Sequence, residues 1–129
     1  MVFVKVLIVD DDCSMRELIK RIVRDLVDEF WECEDGGGAL AMYAAGHLHG
    51  GVPDWVLMDI RMRDVDGLLA TEQIIRSYPQ AQILIVTSYN DASLREAARK
   101  AGARGYVLKE NLVEIQRWLR PSDVEVQGS

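Results

Sequence analysis

The sequence is poor in cysteine and has no long apolar run, and each of these shortages excludes a class of protein. Its 129 residues include two cysteines, Cys13 and Cys33, too few for a disulfide framework and without metal-site spacing. We therefore predict two buried thiols in a reducing cytoplasm. The longest uncharged stretch, 36–53, holds six of the ten glycines and is no transmembrane helix. The apolar segment 1–9 is short and interrupted by Lys5, so no signal peptide is expected.

Positive charge is also in short supply. Fifteen basic residues stand against 21 acidic ones, giving a formal net charge of −6. This balance argues against a domain that binds nucleic acid or an anionic membrane by itself. The composition, 49% apolar and 28% charged, is that of a globular protein, and the length fits one domain. A local basic edge is expected to be a solvated or dimer-forming face rather than a DNA-binding patch; it comprises Arg95, Arg99, Lys100 and Arg104.

Five short apolar runs predict buried β-strands. They are rich in β-branched residues and nearly continuous, which is typical of parallel strands covered on both faces. The segments between them carry apolar residues at helical spacing and predict five helices. Strands alternating with helices predict an α/β fold, (βα)5, with a doubly wound five-stranded parallel sheet. The strands are expected at 2–9, 30–33, 55–58, 83–86 and 105–108.

Capping patterns predict where several helices begin. A capping box over Ser14–Glu17 predicts the start of the first helix, which runs to Leu26 with Arg16 opposite its apolar face. The second helix is expected over 39–45, after three consecutive glycines. A second capping box, over 111–114, predicts the start of the last helix.

Polar residues follow four of the predicted strands, and their positions predict a site. Asp10 with Asp11, Asp59, Thr87 and Lys109 should converge, because carboxyl ends of parallel strands share one edge of the sheet. Neighbouring carboxylates at ~4 Å repel by about 4 kcal/mol per pair at an effective dielectric of about 20, so a cation is expected. Oxygen donors without histidine or thiolate favour Mg²⁺. A metal, a lysine and a hydroxyl together suit the neutralisation of a transferring phosphoryl group.

Five segments of the sequence form a recognisable pattern. They are Val6–Asp11, Met58–Met62, Asp66–Gly67, Val86–Ser88 and Gly105–Lys109. In this order they resemble the receiver domain of two-component response regulators, the CheY-like superfamily. The resemblance covers about residues 2 to 120 and implies a flavodoxin-like strand order, 2-1-3-4-5. It implies a receiver domain at 1–120 and a polar tail, or the start of a linker, at 121–129. The last segment is similar to receivers of LuxR-type regulators, whose DNA-binding output domain would lie outside these residues.

The resemblance implies a phosphoacceptor role. Asp59 would take a phosphoryl group from a phosphohistidine on a sensor histidine kinase or a phosphotransfer protein. Asp10, Asp11 and Asp59, with the backbone carbonyl of Arg61, would hold Mg²⁺ or Mn²⁺. Such a domain is a cytoplasmic signalling module and not an enzyme in the ordinary sense, since it assists only its own phosphorylation and dephosphorylation.

The resemblance also implies a switch. Lys109 would pair with the phosphoryl oxygens, and Thr87 would hydrogen-bond one of them. Tyr106 would follow Thr87 and signal through the fourth helix, fifth strand and fifth helix, a surface that could also form a homodimer. Arg61 and Tyr89 each lie two residues beyond a site position, and we hypothesise that their bulk gates water and sets the phosphoryl lifetime.

Two departures from the family pattern and two alternative functions stay open at this point. Arg63 and Glu110 stand where family members usually have proline. The loop after the acceptor is therefore expected to be less rigid at Arg63, and Glu110 leaves the shape of the loop after Lys109 open. One alternative is a haloacid dehalogenase-like phosphatase, with Asp10 as nucleophile and Asp12 as acid and base. The other is a pseudo-receiver that is not phosphorylated and serves only for protein contacts.

Overall fold

A computed structural model describes residues 3–61 and 66–120 of the chain. Five strands alternate with five α-helices, as the hydrophobic pattern predicts. Two 3₁₀ segments, Arg24–Leu26 and Lys109–Glu114, follow the first α-helix and the fifth strand. In chain order the elements are β1 Lys5–Val9, α1 Cys13–Val23, β2 Glu29–Cys33, α2 Gly36–Leu48, β3 Trp55–Met58, α3 Gly67–Ser77, β4 Ile83–Thr87, α4 Ala92–Ala101, β5 Gly105–Leu108 and α5 Ile115–Leu119.

The strands form one parallel sheet in the order β2-β1-β3-β4-β5, which confirms the predicted fold. In the register of β1 and β3, Val9 lies beside Met58. Asp10 and Asp59 directly follow these two strands and therefore lie side by side at the edge of the sheet. In the register of β4 and β5, Thr87 lies beside Leu108, which precedes Lys109. The pairing of the strands thus brings the polar strand ends to one edge.

The helices cover both faces of the sheet and bury two separate apolar clusters. Leu7 and Val9 of β1 pack towards α2, α3 and α4, whereas Val6 and Ile8 pack towards α1 and α5. All four side chains are at most 1% exposed, and burial of each contributes about 1.5–3 kcal/mol. Because the last residues of β1, β3, β4 and β5 are buried, the loops that follow these strands start from fixed positions.

The start of α1 differs from the prediction. Asp12, and not Ser14, is the N-cap, and its Oδ1 accepts hydrogen bonds from the amides of Ser14 and Met15 at 2.9 and 3.3 Å. A carboxylate at the cap also interacts favourably with the positive end of the helix dipole. The α-helix ends at Val23, and the predicted continuation to Leu26 is a 3₁₀ turn. Cys13 is exposed at the first helical position and Cys33 is half-buried, so the prediction of two buried thiols is wrong.

Two other helices also begin differently from the prediction. The helix α2 starts at Gly36 rather than at residue 39, because the Asp35 carboxylate accepts from the Gly38 amide at 2.7 Å and offsets the low helix propensity of glycine. No side-chain cap begins α5, and Asn111 has a non-helical φ of −128°, so the capping box predicted over 111–114 does not form. Residues 121–129, predicted as a polar tail, and Arg63 lie outside the described residues.

Candidate functional site at the carboxyl edge of the sheet

Asp10 and Asp59 are buried side by side at the centre of this edge. They are 2% and 6% exposed. The amide of Asp59 donates to the carbonyl of Val9 at 3.0 Å, which continues the ladder between β1 and β3 by one residue. The Asp10 Oδ1 accepts from the amide of Asp12 at 2.9 Å, and the Asp59 Oδ1 accepts from the amide of Ile60 at 2.8 Å. Each carboxylate is therefore held by a backbone donor and keeps its other oxygen for a partner.

Lys109 supplies that partner to both carboxylates. Its Nζ lies 2.9 Å from the Asp10 Oδ2 and 3.2 Å from the Asp59 Oδ2, although Lys109 is 50 residues from Asp59 in the chain. The lysine side chain is 16% exposed, so water screens these contacts little. The ammonium group therefore offsets part of the repulsion between two buried carboxylates.

Burial and charge act against each other on these groups. Burial raises the pKa of Asp59, and the positive charge of Lys109 only partly opposes this shift. Burial would lower the pKa of Lys109, but its hydrogen bonds and charge interactions with Asp10 and Asp59 together outweigh burial and raise that pKa. Lys109 is thus a fixed cation at neutral pH, and one cation is insufficient to stabilise the acidic cluster fully.

The site also has the donor set of a hard divalent cation. Asp11 joins Asp10 and Asp59, and each of the three offers a carboxylate oxygen within 4.8 Å of the others. Asp11 is more exposed than its two neighbours, so the cluster is open to solvent on that side. Three carboxylates and one ammonium leave a formal charge of −2, which a divalent ion would neutralise. Oxygen-only ligands of this kind fit Mg²⁺ or Mn²⁺.

A glycine fixes the return of the chain towards this site. The amide of Gly67 donates to the carbonyl of Ile60 at 2.8 Å, and Gly67 begins α3. A Cβ atom at this position would lie 1.9 Å from the carbonyl oxygen of Asp59. Only glycine therefore allows the backbone of α3 to approach the end of β3 so closely.

Thr87 lies at the same edge but is not bonded to the carboxylates. It is fully buried at the end of β4, and its Oγ1 accepts from the amide of Tyr89 at 3.4 Å. This hydrogen bond orients the hydroxyl towards its own loop. The structure thus brings Thr87 to the site edge without hydrogen-bonding it to Asp59.

Two cation–ring stacks connect the rim of the site with α4. The guanidinium carbon of Arg61 lies 4.9 Å from the ring centroid of Tyr89, and that of Arg95 lies 4.5 Å from the ring of Tyr106. The Tyr106 hydroxyl donates to the backbone carbonyl of Tyr89 at 2.6 Å, which joins the two stacks. Arg61, Tyr89 and Tyr106, predicted separately from the sequence, therefore form one contact chain, to which Arg95 adds a member that the sequence reasoning missed.

Arg16 is a second residue that the sequence reasoning missed. The pattern places it on the polar face of α1, but its side chain is only 14% exposed and its Nη1 donates to the carbonyl of Asp10 at 2.6 Å. Its position one turn after the cap residue Asp12 is a signal that could have indicated this contact. By contrast, the Asp12 carboxylate caps α1 and lies outside the three-carboxylate cluster, so nothing here supports the phosphatase alternative for it.

The strand order and the acidic edge with its lysine define a receiver-type α/β domain. The chain belongs to the response regulator receiver domain family, whose model matches residues 6–119. It is thus a signalling domain of two-component systems, and both the predicted family and the predicted fold are confirmed. In the part of the chain that the structure describes, no helix has the length and apolar character needed to cross a membrane.

The relatives include a response regulator much longer than the matched region and one of nearly the same length. The chain is 36% identical over 110 residues to the transcriptional regulatory protein DegU of Brevibacillus brevis, a match covering 83% of this chain and 44% of DegU. It is 37% identical over 105 residues to the chemotaxis protein CheY of Halobacterium salinarum, covering 81% of this chain and 83% of that protein. The chain therefore spans less than half of DegU but matches most of CheY.

Solved structures agree with the fold. A two-component response regulator of the LuxR family from an Aurantimonas species has 29% identity and a TM-score of 0.77, over 92% of this chain and 86% of that one. The Mn²⁺-bound form of response regulator Rcp1 has 18% identity and a TM-score of 0.76, over 90% and 94% of the two chains, and shows the likeness of fold alone.

Proposed function

We propose that Asp59 accepts a phosphoryl group from the phosphohistidine of a sensor histidine kinase or a phosphotransfer protein. The observation that carries this proposal is the double contact of Lys109, whose Nζ reaches both Asp10 and Asp59 at the edge of the sheet. A carboxylate oxygen of Asp59 attacks phosphorus, the P–N bond breaks, and its electron pair stays on the imidazole nitrogen, which takes up a proton. The product is an acyl phosphate, and Lys109 pairs with its phosphoryl oxygens.

The acidic cluster suits a resident metal ion. The carboxylates of Asp10, Asp11 and Asp59, together with the backbone carbonyl of Arg61, would hold Mg²⁺ or Mn²⁺. The ion would neutralise charge on the phosphoryl group during its transfer. Response regulator Rcp1, which shares the fold, is known in a Mn²⁺-bound form, and this supports a divalent ion as a ligand of the present chain.

A change at Thr87 would carry the signal outward. Among the described residues its hydroxyl accepts a hydrogen bond from the amide of Tyr89 alone, so its proton is available to a phosphoryl oxygen. A shift of Thr87 would move the Tyr89 backbone, whose carbonyl accepts from Tyr106. The affected surface is formed by α4, β5 and α5, and it would serve an output partner or a homodimer. The stack of Arg61 on Tyr89 would hinder the approach of water to Asp59 and so lengthen the phosphoryl lifetime.

The proposal places the chain in the cytoplasm as a receiver over 1–120, with 121–129 as a tail or the start of a linker. It assists only its own phosphorylation and dephosphorylation. DegU is by name a transcriptional regulator, and its greater length supports a transcriptional output domain outside these residues.

Phosphopeptide mapping tests the acceptor. The chain is incubated with Mg²⁺ and a small acyl phosphate donor, and the modified peptide is identified with and without chelator. We expect a label on Asp59 that requires Mg²⁺ and is lost in Asp59→Asn, while Asp12→Asn, which changes only the helix cap, keeps it. A label on Asp10 would overturn the proposal in favour of a phosphatase, and the absence of any label would favour a contact module.

A further inference from the structure

The guanidinium group of Arg16 connects α1 and β2 with the acidic loop, which we define as residues 10–12 between β1 and α1. Arg16 lies on α1; its Nη1 donates to the carbonyl of Asp10 at 2.6 Å, and its Nε donates to the Glu32 Oε1 on β2 at 2.9 Å. The guanidinium is planar and always charged, so its donors hold both partners in a fixed relation. Because the side chain is largely buried, water competes little for these bonds.

The anchor of Arg16 is itself fixed. Lys20, one turn further along α1, approaches the second carboxylate oxygen of Glu32 at 2.9 Å and also pairs with Glu17. Hydrogen bonds from Lys20 and from Arg16 hold the pKa of Glu32 below its usual value, so Glu32 stays ionised at neutral pH. Arg16 therefore bridges a charged carboxylate on the edge strand and a backbone carbonyl in the acidic loop.

The carbonyl that Arg16 contacts has a special position. It belongs to the peptide unit between Asp10 and Asp11, and this unit is a rigid plane. A rotation of that plane would change the direction of both carboxylates relative to Asp59. The amide of Asp10 is already bonded to the carbonyl of Cys33 at 3.1 Å, so the Arg16 bond fixes the other side of this residue.

We propose that Arg16 is a positioning residue for the metal site, which it serves by orienting the peptide between Asp10 and Asp11. The inference rests on the proposed function, because it takes the three-carboxylate cluster as the site of Mg²⁺ binding. Arg16 does not itself offer a ligand to the ion. It determines whether two of the three carboxylates face the third.

A simple charge effect and a positioning role predict opposite changes in Mg²⁺ affinity when Arg16 is substituted. The loss of a positive charge near the cluster would strengthen the binding of a cation. The loss of the bond to the Asp10 carbonyl would weaken it, since removal of a group that orients metal ligands typically reduces metal affinity by 10- to 100-fold. The sign of the change therefore separates a positioning role from a simple charge effect.

Lys20 provides a matched control. It pairs with the same Glu32 and carries the same charge, but no contact connects it with the acidic loop among the described residues. We compare Arg16→Met with Lys20→Met by isothermal titration with Mg²⁺, after thermal melts of both metal-free variants. Arg16→Met is expected to bind Mg²⁺ about tenfold more weakly, and Lys20→Met to bind it as tightly as the wild type or slightly more tightly. Arg16→Lys, with one donor group in place of the fork, should be intermediate.

A second readout needs no metal. The amide resonances of Asp11 and Asp12 in metal-free protein should shift in Arg16→Met and stay in place in Lys20→Met. Unchanged or tighter Mg²⁺ binding by Arg16→Met would overturn the inference, and so would equal weakening in both Met variants. Should Arg16→Met not fold, Arg16→Lys takes its place, because it keeps the positive charge and any weakening of Mg²⁺ binding then comes from the lost fork of donors; unchanged binding by Arg16→Lys would overturn the inference. A wild-type chain that binds no Mg²⁺ would overturn the metal site and this inference together, whereas labelling of Asp59 tests the acceptor separately.

Discussion

The loop after β1 is tied down by short bonds to buried groups, whereas the loop after β4 rests on aromatic rings at the surface. In the first loop Asp10 is bonded through its amide, its carbonyl and both carboxylate oxygens. In the second loop the hydroxyl of Thr87, a residue whose backbone is paired within the sheet, accepts one long hydrogen bond of 3.4 Å among the described residues, and Tyr89 is 42% exposed. Both loops lie at the carboxyl edge of the sheet, where Asp59 is buried.

This difference suits two tasks. Metal ligands must be held in place before the ion arrives, and bonds to buried partners achieve this. A switch needs two arrangements of similar free energy, and contacts worth about 0.5–1 kcal/mol each, such as an exposed cation–ring stack, permit such a change. We therefore propose that the loop after β1 would hold the metal ligands and that the loop after β4 would act as the switch.

The largest expected effect comes from the removal of Lys109, the cation that pairs with Asp10 in the loop after β1. We call this loop and its partners the rigid side, and the loop after β4 with its partners the switching side. Lys109→Met leaves the carboxylates of Asp10 and Asp59 buried without their shared partner. We expect the free energy of unfolding of the metal-free protein to fall by about 3 kcal/mol, because an uncompensated buried charge is costly. Urea unfolding with and without Mg²⁺ measures this, and the ion should restore part of the loss.

The matched substitution on the other side is Arg95→Met, which removes the stack on the exposed side of Tyr106. Its expected cost is below about 1 kcal/mol and should not depend on Mg²⁺. Equal costs for the two variants would show that the two loops are held equally firmly and would contradict the assignment.

A second prediction concerns the lifetime of the acyl phosphate. Arg61→Ala and Tyr89→Ala each remove the same cation–ring stack. We expect either variant to lose the label from Asp59 about threefold faster, which corresponds to about 0.7 kcal/mol of lost protection. The decay of the label after removal of the donor measures this, with Arg76→Ala on α3 as the control. The double variant should decay no faster than the single ones, and unchanged rates in both singles would rule out the water gate.

The sheet and the site could be predicted from the sequence because both follow from a repeated physical rule. Apolar runs long enough for one strand each specify the parallel sheet, and residues just after them must meet at its carboxyl edge. That reasoning brought together Asp10, Asp11, Asp59 and Lys109 across 50 residues of chain between the last two. The order of the runs and their polar ends sufficed for this.

The contacts between side chains could not be predicted in this way. Ser14 and Asp12 are two good N-caps two residues apart, and only the path of the chain after β1 decided between them. Arg16 looks like a solvated residue on a helical wheel, since the wheel does not show that the acidic loop folds over the start of α1. The stack of Arg61 on Tyr89 joins two loops that no sequence periodicity relates.

A third prediction concerns the hydroxyl of Tyr106 on the switching side. Tyr106→Phe removes the hydroxyl that donates to the Tyr89 carbonyl and leaves the ring beneath Arg95. We expect the free energy of unfolding to fall by about 0.5–1 kcal/mol, the net value of one hydrogen bond at a partly exposed site. Urea unfolding measures the change. A loss as large as that of Lys109→Met would mean that the switching side is as firmly held as the metal side.

The smallest expected effect lies in the support of the rigid side and depends on pH. Hydrogen bonds from Lys20 and Arg16 lower the pKa of Glu32 in the folded protein, so the ionised form contributes stability above the ordinary glutamate pKa. This contribution is lost as the pH falls through the lowered pKa. We therefore expect the wild type to be more stable than Glu32→Gln near pH 7, and the difference to shrink as the pH falls below the ordinary glutamate pKa. Urea unfolding at a series of pH values measures it, with Glu72→Gln on α3, whose carboxylate pairs with the exposed Arg76, as the reference. A difference between the wild type and Glu32→Gln that stayed constant across this range would show that the bridge from Arg16 to β2 works without the charge of Glu32.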